Sequence, residues 1–329
     1  MGKAKIIKFI AGLFILSVFG SCNQQEVKTS QGLSGDLVIF HAGSLAAPFK
    51  EIADSFMIIN PGVRVLAESA GSLASIRKIT DLNKPCDILA SADYSLIDKL
   101  IIPMYASWNI QFAGNEMALV YHPDSRFSEK IDLNNWTSIL LEPEVRFGRS
   151  DPDSDPCGYR TILSLELAEK IYHLPGLTAQ FMKKDERYIR PKEVDLLALL
   201  ETGTIDYIFI YKSVAIQHKL LYLELPDSIN MGSPGLKEFY SQVSVDVTGN
   251  KPGETITQVG EPMVYGVCIP KNAPNKIAAN AFIGFLLGNA GKQIMHNSGQ
   301  TALSPILTKK SGGLPAEIRR LITLPKTMN

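Results

Sequence analysis

DLVIFHAGSLAAPFKEIADSFMIIN, residues 36–60, changes its period partway through. The first part, DLVIFHAGS (36–44), has the apolar, β-branched composition of a strand. Beyond Gly43-Ser44 the apolar residues recur at helical spacing. Ser44 is placed as the helix N-cap, and Pro48 falls in the first turn, where its missing N–H is not needed. The plan then repeats. VRVLAESAGS (63–72) reads as a strand ending in Gly71-Ser72, and the helical LASIRKITDL follows it. CDILASAD (86–93) is a third strand, followed by YSLIDKLI. Successive strand–turn–helix units imply an α/β fold whose parallel sheet is covered by helices.

A second series lies further on. EMALVYHP (116–123), VRFGRS (145–150), IDYIFIYKS (205–213) and LYLELP (221–226) read as strands. WTSILLEP, GYRTILSLELAEKIYH (158–173), VDLLALLETG (194–203) and SVAIQHK read as helices, with Gly203 as a stop. PMVYGVCIP (262–270) is the last convincing strand, and IAANAFIGFLLG, KQIMHNSG and PAEIRRLITL read as closing helices. Two sets of units joined near 116–122 and 262–268 predict two lobes with two crossings, the last helices packing back onto the first lobe. We place lobe 1 at 36–118 plus 266–329 and lobe 2 at 119–265, with a hinge near 117–121 and 263–267. Loops at the carboxyl ends of the strands then face the cleft between lobes, where open α/β sheets bind their ligands.

The chain is 329 residues long, 45% hydrophobic and 20% charged, enough for two packed units. Residues 1–21 carry Lys3, Lys5 and Lys8, then an apolar run too short for a comfortable membrane span, then small residues. This is a secretory signal peptide, outside the fold. Phe19-Gly20-Ser21-Cys22 resembles a bacterial lipobox, which implies cleavage before Cys22 and its lipidation. Residues 22–35 are polar and unpatterned and read as a lipid-anchored tether on the outer side of the membrane. Cleavage removes three of the 33 basic residues, leaving 30 against 33 acidic ones. That balance argues against nucleic-acid binding, which calls for a basic face. Cys86, Cys157 and Cys268 form no CxxC pair, so neither a zinc site nor a disulfide framework is expected.

GRSDPDSDPCGYR (148–160) puts Asp151, Asp153 and Asp155 at alternate positions. An EF-hand loop beginning at Asp151 needs glycine at its sixth position and glutamate at its twelfth; the chain has Pro156 and Ile162 there. Asp155 also stands where a helix N-cap would. The turns Gly43-Ser44 and Gly71-Ser72 both place a hydroxyl and unpaired N–H groups at a helix start, a donor set for a small oxyanion. Helix capping alone explains either turn taken singly. A hydrolase using Ser44 with His41 is a rival, but no G-x-S-x-G elbow is present. The remaining histidines lack metal-binding spacing, and no P-loop or dinucleotide fingerprint occurs, so no cofactor is implied.

Taken in order, FHAGSL (40–45), ESAGS with IRK (68–72, 76–78), ADYSLI, FGRSDPDSDPCGYR (147–160), DYIFIYKSVAIQH (206–218) and VYGVCIPKNA (264–273) resemble the tungstate/molybdate-binding proteins of ABC importers, in their archaeal-type branch. The resemblance implies a two-lobed periplasmic-binding-protein fold of type II with the ligand in the interlobe cleft. It implies a non-catalytic, monomeric protein that hands its oxyanion to a membrane permease with a separate ATPase. It also implies a six-coordinate metal centre, with four oxygens from the oxyanion and two from carboxylates. Asp155 and Glu193 match those carboxylates, with Glu186 as the alternative to Glu193. Gly43, Ser44 and Ser72 match the lobe 1 oxyanion contacts; Asp153, Ser154 and Tyr211 match those of lobe 2. Another oxyanion, such as sulfate or phosphate, remains the competing ligand.

Overall fold

The computed structural model describes residue 1 and residues 32–184, 186–249, 253–308 and 313–322. The expected signal peptide beyond residue 1, Cys22 and most of the expected tether lie outside the described residues. The chain runs through β1 (Ser34–His41), α1 (Ala46–Ile59), β2 (Gly62–Ser69), α2 (Ser72–Thr80) and β3 (Ile88–Ser91). A short helix α3 (Tyr94–Leu96) widens into a π-helical turn, Ile97–Ile101, before β4 (Ile110–Gly114). Then come β5 (Met117–Tyr121), α4 (Trp136–Leu141), β6 (Phe147–Ser150), α5 (Pro156–Tyr172), α6 (Leu177–Lys183) and β7 (Ile189–Arg190). These lead to α7 (Leu197–Glu201), β8 (Tyr207–Tyr211), α8 (Lys212–His218) and β9 (Leu221–Glu224). A hairpin of β10 (Ser244–Thr248) and β11 (Thr255–Val259) precedes β12 (Val264–Cys268), and β13 (Thr301–Leu307) follows two further helices.

These strands form two mixed sheets, one per lobe. Lobe 1 has the order β13-β4-β12-β3-β1-β2, lobe 2 the order β7-β6-β8-β5-β9, and β10-β11 stands apart. In lobe 1, β1 is parallel to both β2 and β3, as the repeated strand–turn–helix pattern requires. In lobe 2, β6 lies parallel to β7 and β8. Every residue of β8 is buried, which is why YIFIY is continuously apolar rather than alternating. The chain leaves the first sheet after Gly114, enters the second at Met117, and rejoins the first at Val264. The lobe limits drawn from sequence, 118/119 and 265/266, fall two residues inside β5 and β12.

Each lobe has an aromatic centre. Phe49 and Phe56 of α1 pack against Phe282 of the helix Lys276–Leu287, so the late helix does return to lobe 1. Trp136, Phe147, Phe181 and Phe209 pack together in lobe 2. Burying a side chain of this size stabilises by about 1.5–3 kcal/mol. Gly203, at φ +65°, ends the α7 segment in the left-handed conformation.

The structure corrects several expectations. β12 is not the last strand, because β13 follows and pairs with β4, itself unread in the sequence. The β10–β11 hairpin was also not anticipated, although Ser244–Thr248 does alternate. Among the described residues the closing helix is one turn, Ala316–Arg319. Ser44 is not an N-cap: it sits inside a 3-10 turn, Gly43–Leu45, and Leu45 precedes α1. Apart from these corrections, Cys86, Cys157 and Cys268 are buried free thiols.

Candidate functional site

β1, β2 and β3 end at one edge, with His41 paired to Ser69 and to Ala90. The turns Gly43-Ser44, Gly71-Ser72 and Ala92-Asp93 therefore stand side by side on the rim of lobe 1. Ser44 is fully buried, and its Oγ accepts from the Tyr265 hydroxyl at 2.9 Å. Tyr265 in turn accepts from Asn115 Nδ2 at 2.6 Å, and Asn115 lies between the two sheets at the first crossing. Ser72 Oγ accepts the Ala92 N–H at 3.0 Å. Each serine oxygen thus has a fixed donor behind it, and its own proton is left to be donated.

Three strand ends of lobe 2 supply the opposing rim. β6 runs into the aspartate turn, β7 into Glu193 and β8 into Tyr211. Asp151 closes its own turn, accepting from the Asp153 N–H at 3.0 Å and the Ser154 hydroxyl at 2.7 Å. Asp153 Oδ1 accepts the Thr248 N–H at 2.7 Å, so its carboxylate serves the hairpin and only its backbone stays at the turn. Asp155 is fully buried and caps α5 by accepting the Cys157 N–H at 3.2 Å. Its other oxygen accepts the Glu193 N–H at 2.9 Å. Among the described residues no three His, Cys, Asp or Glu side chains gather to hold a metal ion. The three aspartates have separate tasks and do not form a calcium cluster.

The rims meet at Glu193. A Cβ placed on Gly43 would lie 2.6 Å from Glu193 Oε2, so this lobe 2 carboxyl stands directly against the first Gly-Ser turn. Glu193 is fully buried; its carboxyl faces the Asp155 carboxyl and the Ser44 and Glu193 amides, but neither oxygen is in a well-formed hydrogen bond. Burial pushes its carboxyl well up, and the neighbouring Asp155 charge pushes it further. Burial also raises the Asp155 carboxyl, against its hydrogen bonds. Glu186, the alternative, is exposed on a separate turn. The second Gly-Ser turn is equally close to lobe 2, a Gly71 Cβ falling 2.2 Å from the Ser154 carbonyl oxygen. Tyr211 is fully buried at the end of β8, and its hydroxyl accepts from Arg160 at 3.4 Å.

The Ser44 hydrolase reading finds no base. His41 Nδ1 faces the Ala42 carbonyl at 2.8 Å, while Ser44 is engaged with Tyr265. Sequence reasoning passed over Asn115, and it quoted Asp93, Tyr159-Arg160 and Tyr265 without giving them a task. Arg160 carried a signal: a cation one turn from a helix N-terminus opposes the dipole and so points to a dedicated partner.

Two α/β lobes whose strand ends bring hydroxyls, amides and carboxyls face to face have the layout of a solute-binding protein. The family profile described as bacterial extracellular solute-binding protein matches residues 37–300. The chain belongs to that family. A solute-binding protein of Petrotoga mobilis is 47% identical over 301 residues, covering 91% of this chain and 92% of its own. The molybdate/tungstate-binding protein WtpA of Thermococcus kodakarensis is 36% identical over 349 residues, covering 97% of each chain. Among solved structures, the periplasmic molybdate-binding protein of Azotobacter vinelandii has TM-score 0.60 at 18% identity, covering 82% of this chain and 100% of its own. The sulfate-binding protein SubI of Mycobacterium tuberculosis has TM-score 0.60 at 13% identity, covering 87% and 89%. These two neighbours share the two-lobed fold. Among the described residues no helix is long and apolar enough to cross a membrane.

Proposed function

We propose that this protein captures molybdate or tungstate between its lobes, with Asp155 and Glu193 binding the metal centre directly. The observation that carries this reading is the Glu193 carboxyl, buried beside a second buried carboxyl with neither oxygen in a well-formed hydrogen bond. An unpaired buried carboxylate is costly, and a sulfate or phosphate dianion would add more negative charge to it. Mo(VI) and W(VI) are hard centres that take oxygen ligands. Four oxyanion oxygens and two carboxylates then complete six-fold coordination. The Ser44 and Ser72 hydroxyls, the Gly43 and Asp153-Ser154 backbone and the Tyr211 hydroxyl hold the outer oxygens. The relative from Thermococcus kodakarensis, named for these two oxyanions, supports the assignment. The protein would act as a monomer, anchored through lipidated Cys22, and would pass its cargo to a permease driven by a separate ATPase.

Titration calorimetry with molybdate, tungstate, sulfate and phosphate tests this reading. Heat with the first two and none with the others is the expected result; heat from sulfate or phosphate alone would sink it. The Ser44 relay gives a second check. Tyr265→Phe removes the donor behind Ser44 Oγ, and molybdate binding should weaken about tenfold, as loss of one buried hydrogen bond implies. Unchanged affinity would mean that the Ser44 hydroxyl does not need orienting.

A further inference from the structure

The lobes also meet beside the cage. Arg160, on α5 of lobe 2, is only 3% exposed. Its Nη1 donates to the Ala92 carbonyl of lobe 1 at 2.8 Å, and its Nη2 lies 3.5 Å from Asp93 Oδ2. The neighbouring Tyr159 hydroxyl, also from lobe 2, donates to the same Asp93 oxygen. The other Asp93 oxygen accepts the Ser95 N–H at 2.7 Å, so the start of its own helix α3 already fixes the carboxylate. The Ala92 carbonyl held by Arg160 belongs to the residue whose N–H donates to Ser72 Oγ. One end of this contact thus lies a single residue from the lobe 1 cage.

We propose that Tyr159, Arg160 and Asp93 form an interlobe latch that sets oxyanion affinity without touching the oxyanion. The proposal rests on the oxyanion reading of the cage. The Tyr159 and Arg160 contacts with Asp93 and Ala92 all run from lobe 2 to lobe 1, so each exists only when the lobes are shut. Observed affinity equals the intrinsic affinity of the shut form multiplied by the fraction of molecules that can reach it. A charge-assisted contact made only on closing therefore raises affinity directly. Arg160 also donates to Tyr211, so the latch and the lobe 2 rim share one rigid guanidinium. These are positioning residues, and their effect should show in closure rather than in folding.

The test compares Tyr159→Phe, Asp93→Asn and the double variant with the wild type in three measurements. Molybdate affinity by calorimetry should fall about tenfold or more in each single variant, as expected for one hydrogen bond to a charged group. The double variant should lose little beyond the worse single one, because both remove the same contact. Unfolding of the ligand-free protein should be unchanged, since the open form lacks the latch. Interlobe paramagnetic relaxation, recorded with no anion present, registers a minor shut population and should drop in all three variants. Wild-type affinity in the variants, additive losses, or losses that track a lowered unfolding temperature would each overturn the latch. Should the wild type take up neither molybdate nor tungstate, the oxyanion reading falls, and the relaxation measurement alone decides: a signal that the variants reduce supports the latch, and no signal or no reduction overturns it.

Discussion

Glu193→Gln should lower molybdate affinity by at least about 30-fold and, in the same molecule, shut the lobes more readily without any anion. The first effect follows from ligand chemistry. A neutral amide is a poor partner for a hard metal centre, and removing one member of a buried charge pair costs about 2–5 kcal/mol. The second follows from electrostatics. When the lobes close, Glu193 is buried against Asp155 with neither oxygen in a well-formed hydrogen bond. Closing strips water from two carboxyl groups that already sit side by side on lobe 2, which opposes closing, so the unliganded protein should rest open. Glutamine removes the group that must either keep its charge or take up a proton on burial, and its amide can donate to Asp155. Calorimetry reads the first effect, and small-angle scattering of the unliganded protein reads the second as a smaller radius of gyration. Full molybdate affinity in Glu193→Gln would remove this residue from the metal's ligands. Lost affinity with an unchanged radius would leave it a ligand but not the obstacle to closing.

What the sequence revealed, and what it did not, follows the range of the interactions. The units β1–α1, β2–α2 and β3–α3 were legible because period, turn glycine and helix start all lie within about thirty residues of one another. Asp155 as a cap was legible for the same reason, since Cys157 N–H is two residues away. β4 and β13 were not, because each is fixed by strands far along the chain, β4 lying between β12 and β13. The error at Ser44 has the same origin. Composition suggests a cap, but the hydroxyl is held by Tyr265, 221 positions later. No local feature separates Glu193 from Glu186. Burial against Asp155 of its own lobe and Gly43 of the other does, and the approach to Gly43 arises only when the two sheets are brought together. The latch is a further case, because the Arg160–Ala92 bond spans 68 positions. Single βα units could thus be read one at a time, while the partners of the site residues had to be seen in space.

Gly71→Ala should leave the open protein almost untouched and prevent it from closing. Gly71 has φ −57° and ψ 144°, a conformation that alanine adopts freely. It precedes α2 without contributing a side-chain cap, so within lobe 1 the added methyl alters helix stability by about 1 kcal/mol at most. Across the cleft the situation differs. The new Cβ would lie 2.2 Å from the Ser154 carbonyl oxygen, 2.9 Å from its carbon and 3.1 Å from the Pro191 oxygen, all of them backbone of lobe 2. A side chain could rotate aside, but these atoms move only if the aspartate turn or the whole lobe moves. That carbonyl also faces the Ala74 N–H at 3.4 Å, and Arg77 donates to the adjacent Asp153 carbonyl at 3.0 Å, so backing away loses both contacts. Overpacking of a side chain costs about 1–3 kcal/mol, and a backbone clash exceeds the upper end, so molybdate affinity should fall at least about 100-fold. Gly43→Ala should act differently, because its methyl would meet the Glu193 carboxyl at 2.6 Å, a flexible group that can shift and take its metal bond with it. Scattering with saturating molybdate separates the two. Gly71→Ala should keep the open radius even where anion is bound to one lobe, whereas Gly43→Ala should close but bind weakly. A Gly71→Ala protein that closes and binds like the wild type would mean that Ser154 and the second Gly-Ser turn do not approach each other in the liganded form. The cage would then be built on the first turn alone, and Ser72 would return to the role of a helix start held by the Ala92 N–H.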